Sequence, residues 1–148
     1  MYAAADNGII IFDPSDNALS TLTKLEGLSS TNITQVAADP SRQQVLVGYE
    51  DGDLDILRTN EIINFDRLKN STTIAGSKRI NHIIVNGNLA YLSTDYGVVV
   101  FDLVQLEVKE TFRDLGSTGE KIKVYQSTFF SDSLFLATEK GVLAGDLD

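Results

Sequence analysis

Short apolar runs recur along the chain, each closed by glycine and polar turn residues, and none keeps the i, i+3, i+4 spacing of an amphipathic helix. Runs such as "GIIIF" from Gly8 and "GVVVF" from Gly97 are β-branched and brief, as strands are. Their apolar positions are continuous rather than alternating, the pattern of a sheet covered on both faces. The chain is therefore all-β, and a helical solenoid does not fit.

The runs repeat. Tyr2 to Asp13 ("YAAADNGIIIFD"), Leu46 to Leu57 ("LVGYEDGDLDIL"), Tyr91 to Asp102 ("YLSTDYGVVVFD") and Phe135 to Asp146 ("FLATEKGVLAGD") align on Gly8, Gly52, Gly97 and Gly141, spaced by 44, 45 and 44 residues. Each reads as a hairpin with a two-residue turn ending in glycine: Asn7-Gly8, Asp51-Gly52, Tyr96-Gly97 and Lys140-Gly141. A strand precedes the later hairpins, at Ile33 to Ala38, Ile80 to Val85 and Ile122 to Phe130. More polar strands follow at Ala18 to Leu25, Glu61 to Leu68 and Leu106 to Leu115.

A four-stranded meander of about 44 residues is the blade period of a β-propeller. The expected fold is a β-propeller fragment of about three and a half four-stranded antiparallel blades, one partial domain over residues 1–148, with repeats at 1–32, 33–79, 80–121 and 122–148. The chain opens on a second strand and closes after a third, so about fourteen strands are expected. Such an open ring exposes apolar faces and unpaired edges. It can belong to a longer protein, pair with a copy of itself, or close alone as a strained four-bladed ring; a fragment that dimerises in isolation, through its exposed terminal strands, is the favoured expectation.

Charge narrows the partners. With 21 acids against 12 Lys and Arg, the formal charge is -9, which argues against nucleic acid. No apolar run is long enough for membrane insertion, and the first residues lack the basic and apolar regions of a signal peptide. The absence of cysteine excludes disulfides and thiolate chemistry.

The acids themselves form the candidate interaction face. Asp6, Glu50, Asp95 and Glu139 each stand before a turn pair. Asp51, Asp53 and Asp55 look like the opening of a calcium loop, but the glycine and glutamate such a loop needs are Ile56 and Ile62, so that reading fails. On the glycine alignment Asp53 matches Ile9, Val98 and Val142, and Asp55 matches Ile11, Val100 and Ala144. Acids on an otherwise apolar face must pair, stay wet or meet a partner; a basic side chain is the preferred contact and an ion the second. Lys78 and Arg79, at the entry to an inner strand, could meet the acidic hairpins on the same face.

Catalytic signals are sparse. His82 is the single histidine and has no identifiable partner for acid-base or metal work. "DLGSTGEK" from Asp114 has the wrong glycine spacing for a phosphate loop and reads as a connection between blades. "NST" from Asn70 matches a glycosylation acceptor and reads as a polar loop. No cofactor, metal or catalytic residue is expected, and the reading is not an enzyme.

From Gly27 to Leu57 ("GLSSTNITQVAADPSRQQVLVGYEDGDLDIL") and from Lys78 to Phe112 ("KRINHIIVNGNLAYLSTDYGVVVFDLVQLEVKETF"), the sequence resembles the N-terminal propeller of PorZ-like proteins of the type IX secretion system of Bacteroidetes. A weaker likeness is to the sensor propellers of Bacteroidetes hybrid two-component systems, which share the "GLSS" entry but usually carry a Trp before the hairpin, absent here. The first resemblance implies an extracytoplasmic envelope protein, in the periplasm or at the cell surface, with protein partners in cargo sorting and surface attachment. The family's lipopolysaccharide role is associated with a C-terminal domain this chain lacks. The propeller would then be a scaffold or docking module; the second resemblance implies a ligand-sensing propeller instead.

Overall fold

A computed structural model describes residues 1–115 and 119–146. Fourteen strands among them form four antiparallel sheets, each a meander. The first holds β1 (Tyr2–Ala5), β2 (Gly8–Asp13) and β3 (Ala18–Thr23); the second holds β4 (Ile33–Asp39), β5 (Gln44–Tyr49), β6 (Leu54–Arg58) and β7 (Glu61–Phe65). The third holds β8 (Ile80–Asn86), β9 (Leu89–Thr94), β10 (Gly97–Asp102) and β11 (Glu107–Phe112); the fourth holds β12 (Val124–Phe130), β13 (Ser133–Thr138) and β14 (Gly141–Asp146).

Inner strands β4, β8 and β12 pack side by side, while β1 meets β4 as β5 meets β8 and β9 meets β12. β1 thus occupies the second-strand position of its blade. This is the β-propeller fragment expected, an all-β stack of blades.

Burial follows the stacking. Between the second and third blades, Leu46, Leu54, Ile56 and Phe65 meet Ala90, Leu92, Val99 and Phe101. Phe65 and Phe101 pack edge to face with centroids 4.8 Å apart. The junction of the first two blades buries Ile9 and Ile11 against Val45, Val47, Tyr49 and Leu57, and that of the last two buries Val98 and Val100 against Val124, Leu134 and Leu136. Each blade therefore offers one apolar face forward and another back.

Polar stitches fix the blades at the axis. Each inner strand has a bulge at its second residue, Thr34, Asn81 or Tyr125. Thr34 Oγ1 donates to the carbonyl of Ile80 at 2.5 Å, and Asn81 Nδ2 to that of Val124 at 2.9 Å, so in both cases the bulged residue reaches the first residue of the next inner strand. At the opposite end Arg42 donates to the Gly87 carbonyl and to Asn88, tying the β4–β5 turn to the β8–β9 turn. Asp39 is buried beneath it; burial would raise its pKa, but donors from Ser41, Arg42 and Gln44 overcome that and hold it below the ordinary value.

The hairpins correct the turn assignment. The two-residue turns are Asp6-Asn7, Asp95-Tyr96 and Glu139-Lys140, because Gly8, Gly97 and Gly141 already pair with Ala5, Thr94 and Thr138. The acids lie in the turns rather than before them. At Gly97 a Cβ would stand 2.0 Å from the Phe112 carbonyl oxygen, so the outer strand β11 demands glycine there. The second blade differs: Glu50, Asp51 and Gly52 make a three-residue loop in which the Gly52 amide donates to the Tyr49 carbonyl and the Tyr49 amide to the Asp53 carbonyl. Gly52, at φ 88°, takes the left-handed position that follows a type I turn in such loops.

That extra residue shifts the alignment by one. Asp55 pairs with Val47, as Val99 pairs with Leu92, Ile10 with Ala3 and Leu143 with Leu136. Asp55 therefore corresponds to Val99, Ile10 and Leu143, not to Val100, Ile11 and Ala144. Asp53 stands where the other blades carry their glycine.

Candidate functional site

The acids of the second blade face the first blade from β6. Asp55 is fully buried, and four donors surround its carboxylate: the Ser29 amide at 2.8 Å, Ser29 Oγ at 2.6 Å, Tyr49 Oη at 2.6 Å and Asn64 Nδ2 at 2.9 Å. Among the described residues no cationic side chain pairs with it. Burial and the Asp55 carboxylate drive the Tyr49 hydroxyl pKa far up, so the phenol stays a donor.

Asp53, also buried, accepts from Asn64 Nδ2 at 2.8 Å and from Lys69 Nζ at 2.9 Å. Lys69 reaches Asp51 at the same distance. Hydrogen bonds to these two carboxylates raise the Lys69 pKa above its ordinary value. Asn64 thus bridges Asp53, which directly precedes β6, and Asp55 within it.

At the rim, acids of one blade meet bases at the entry of the next. Arg79 Nη1 donates to Glu50 at 3.0 Å, and Lys123 Nζ to Asp95 at 3.0 Å. Burial would raise the Asp95 pKa, but donors including Ser77, Asn81 and Lys123 bring it below the ordinary value. The Glu139 carboxylate accepts from the Lys123 backbone amide at 3.0 Å. Asp6 lies exposed, in a polar cleft with Asn7, Thr31 and Asn32 that also takes in Glu50 and Arg79. Among the described residues Lys78 meets no acid: its ammonium donates to the carbonyls of Lys69 (2.6 Å) and Ser71 (2.7 Å), clamping the 66–79 connection over the Gly52 hairpin.

The acids and their donors join strands, loops and neighbouring blades. Among the described residues no group of three His, Cys, Asp or Glu side chains is placed to hold a metal ion. His82 Nδ1 accepts a long hydrogen bond, 3.4 Å, from the Ser127 amide across the third junction, and burial lowers its pKa. Asn70 donates to Asp66 within an exposed loop, and the "DLGSTGEK" stretch falls partly on residues 116–118, outside the described residues.

Sequence reasoning missed Ser29, Tyr49, Asn64 and Lys69. One signal was present: Asn64 stands opposite Asp55 in register, where the equivalent outer-strand residues Thr21 and Thr111 are also polar.

The blade stack, its entry-to-hairpin ion pairs and the "GLSS" loop fixed by Asp55 are features of the whole chain, and so is the match that places it. The family of PorZ N-terminal β-propeller domains, from the type IX secretion system (TSS9), matches residues 1–148. The chain belongs to this family. PorZ of Porphyromonas gingivalis, described as an essential bacterial surface component of that system, superposes with a TM-score of 0.78 at 22% identity, over 98% of this chain and 19% of that one. The extracellular domain of a putative hybrid two-component system from B. thetaiotaomicron gives 0.71 at 18% identity, over 99% and 18%. A computationally designed protein, Ika8, gives 0.59 at 16%, over 98% and 44%. At these identities the structural likeness shows the propeller fold. The chain spans about a fifth of the length of the PorZ structure. No curated protein matches. No helix among the described residues is long and apolar enough to cross a membrane.

Proposed function

We propose that this PorZ-like propeller is a non-catalytic scaffold or docking module of a type IX secretion assembly, acting outside the cytoplasm through protein partners, with pairing to a second copy as one of its contacts. The observation that carries the reading is the family match along the full 148 residues. The geometry supports it: the buried acids are occupied by donors that hold blades and loops together, while Asp6 and the Glu50–Arg79 pair stand among the charged groups at the surface. Rigid blades with a charged rim suit protein docking.

The test is deletion of the gene in its host, followed by fractionation of type IX cargo. Cargo held in the periplasm, and returned to the surface by the wild-type gene, is the expected result. Normal surface display in the deletion strain would sink the secretion reading.

A ligand-sensing propeller is the second reading, favoured by the similarity to two-component extracellular domains. It predicts altered transcription on envelope-glycan feeding in the deletion strain, with secretion intact.

A further inference from the structure

A groove of about 760 Å³ runs along the junction of the first and second blades, within the range of about 300–1,000 Å³ that ligand pockets occupy. Its floor is apolar: Tyr2, Ile11 and Leu22 of the first blade meet Leu57 and Ile62 of the second. The groove lies between blades, not on the outer face of an end blade. The next junction shows why the space is there. Phe65 and Phe101 fill that junction edge to face, whereas the residues that match them in register at the first junction are Leu22 and Leu57. Leu103 is buried in the same cluster as the two phenylalanines and Leu106 packs against it, both carried on the four-residue turn between Asp102 and Glu107. The second blade has only Thr59 and Asn60 between Arg58 and Glu61, and both are exposed. One junction is thus plugged by leucines of its own turn, and the other has no plug.

We infer that this groove is a docking site for a protein partner that inserts a leucine-like side chain flanked by lysine or arginine. The chain itself supplies the pattern for the occupant, because it closes the equivalent space of the next junction with leucines on a turn. Charge supplies the flank. Glu26 and Glu61 stand at the rim with Arg58, whose guanidinium is already engaged by Glu61 and Gln44, on a chain of net charge -9. Seating one apolar anchor in a pocket beneath a charged rim is how protein interfaces concentrate their binding energy. The inference rests on the docking reading above and gives it a site; its failure would leave the secretion role to the cargo test.

The experiment is a methyl-labelled NMR titration of the 148-residue chain with the blocked tripeptides Lys-Leu-Lys, Glu-Leu-Glu and Lys-Ala-Lys. Lys-Leu-Lys should shift the methyl signals of Ile11, Leu22, Leu57 and Ile62, and the other two should bind at least about threefold more weakly. Two variants fill the space from within. Leu22→Phe with Leu57→Phe restores the aromatic pair of the next junction, and a chimera replaces Thr59-Asn60 by residues 103–106; far-UV circular dichroism checks the fold of each. Either should bind Lys-Leu-Lys at least about tenfold more weakly than the wild type. A wild type whose groove methyls do not shift overturns the inference, as does a folded variant that binds as well as the wild type, or Glu-Leu-Glu binding as well as Lys-Leu-Lys. Acetyl-leucinamide binding as tightly as Lys-Leu-Lys would assign the groove to a small apolar ligand, and methyl signals that move with chain concentration alone would assign it to a second copy; each overturns the inference.

Discussion

Tyr49 Oη donates to Asp55 Oδ2 at 2.6 Å, and neither residue is exposed to solvent. The pair joins the hairpin strand β5 to β6 and, through Asp55, to the Ser29 loop that leads into the second blade. A carboxylate caged by neutral donors is stable only while every donor is present, because each lost partner leaves a charged oxygen under-solvated. Tyr49→Phe is therefore expected to cost about 1–3 kcal/mol in urea unfolding. Asp55→Val alone should cost more, since it strands Ser29 and Tyr49 together and leaves Asn64 with Asp53 alone. Adding Tyr49→Phe and Asn64→Thr to Asp55→Val should recover most of the loss, because the third blade runs the same register with Val99 and Thr111. A triple variant no more stable than Asp55→Val would show that the cage is not the cause.

Tyr96 poses the opposite case. Its hydroxyl is buried among Leu46, Leu54, Phe65 and their neighbours with no hydrogen-bond partner among the described residues, and burial pushes its pKa up to about 12. An unsatisfied buried hydroxyl costs about 1–3 kcal/mol, so Tyr96→Phe should raise stability by some part of that. The check is a higher denaturant midpoint with an unchanged slope. A lower midpoint would mean that the hydroxyl is satisfied in solution.

The fold was legible because a propeller repeats its signals: the glycine spacing and β-branched runs located every hairpin. The register of the second blade was not, because Gly52 serves in a three-residue loop while Gly8, Gly97 and Gly141 open strands, and a one-residue slip moves side chains to the other face. The cage was only half legible. Asp53 and Asp55 were conspicuous, but besides Tyr49 and Asn64 on the neighbouring strands their donors come from loops at Ser29 and Lys69, whose distance in sequence carries no periodic signature. Arg79 stood out beside the hairpin acids, whereas the equivalent Lys123 sits in a connection whose repeat pattern is weak.

His82 gives a pH dependence of known sign. Burial lowers its pKa in the folded chain, and Nδ1 must be unprotonated to accept the Ser127 amide. The folded state then binds fewer protons than the unfolded one, so the contribution is present above the unfolded value of about 6.5 and is lost as pH falls through the lower folded value. Asp39 and Asp95, also lowered, add losses only in the more acidic carboxylate range. Wild-type stability measured from neutral pH downward should begin to fall below about 6.5, with His82→Gln flatter across that first window. Identical profiles would remove His82 as the titrating group.

The two rim pairs should differ in strength although both measure 3.0 Å. Glu50 and Arg79 have side chains 55% and 40% exposed, so water and salt screen them, and a double-mutant cycle to alanine should give a coupling of about 0–1 kcal/mol that shrinks with added salt. Asp95 is only 9% exposed and also accepts from Asn81, whose amide at the same time donates to the Val124 carbonyl of the next blade. Removing Lys123 therefore leaves a partly desolvated carboxylate tied to the interblade stitch, and Asp95 with Lys123 should couple more strongly and with less salt dependence. Equal couplings would indicate that Asn81 alone satisfies Asp95, which Asn81→Ala in the Lys123→Ala background would then expose as a much larger loss.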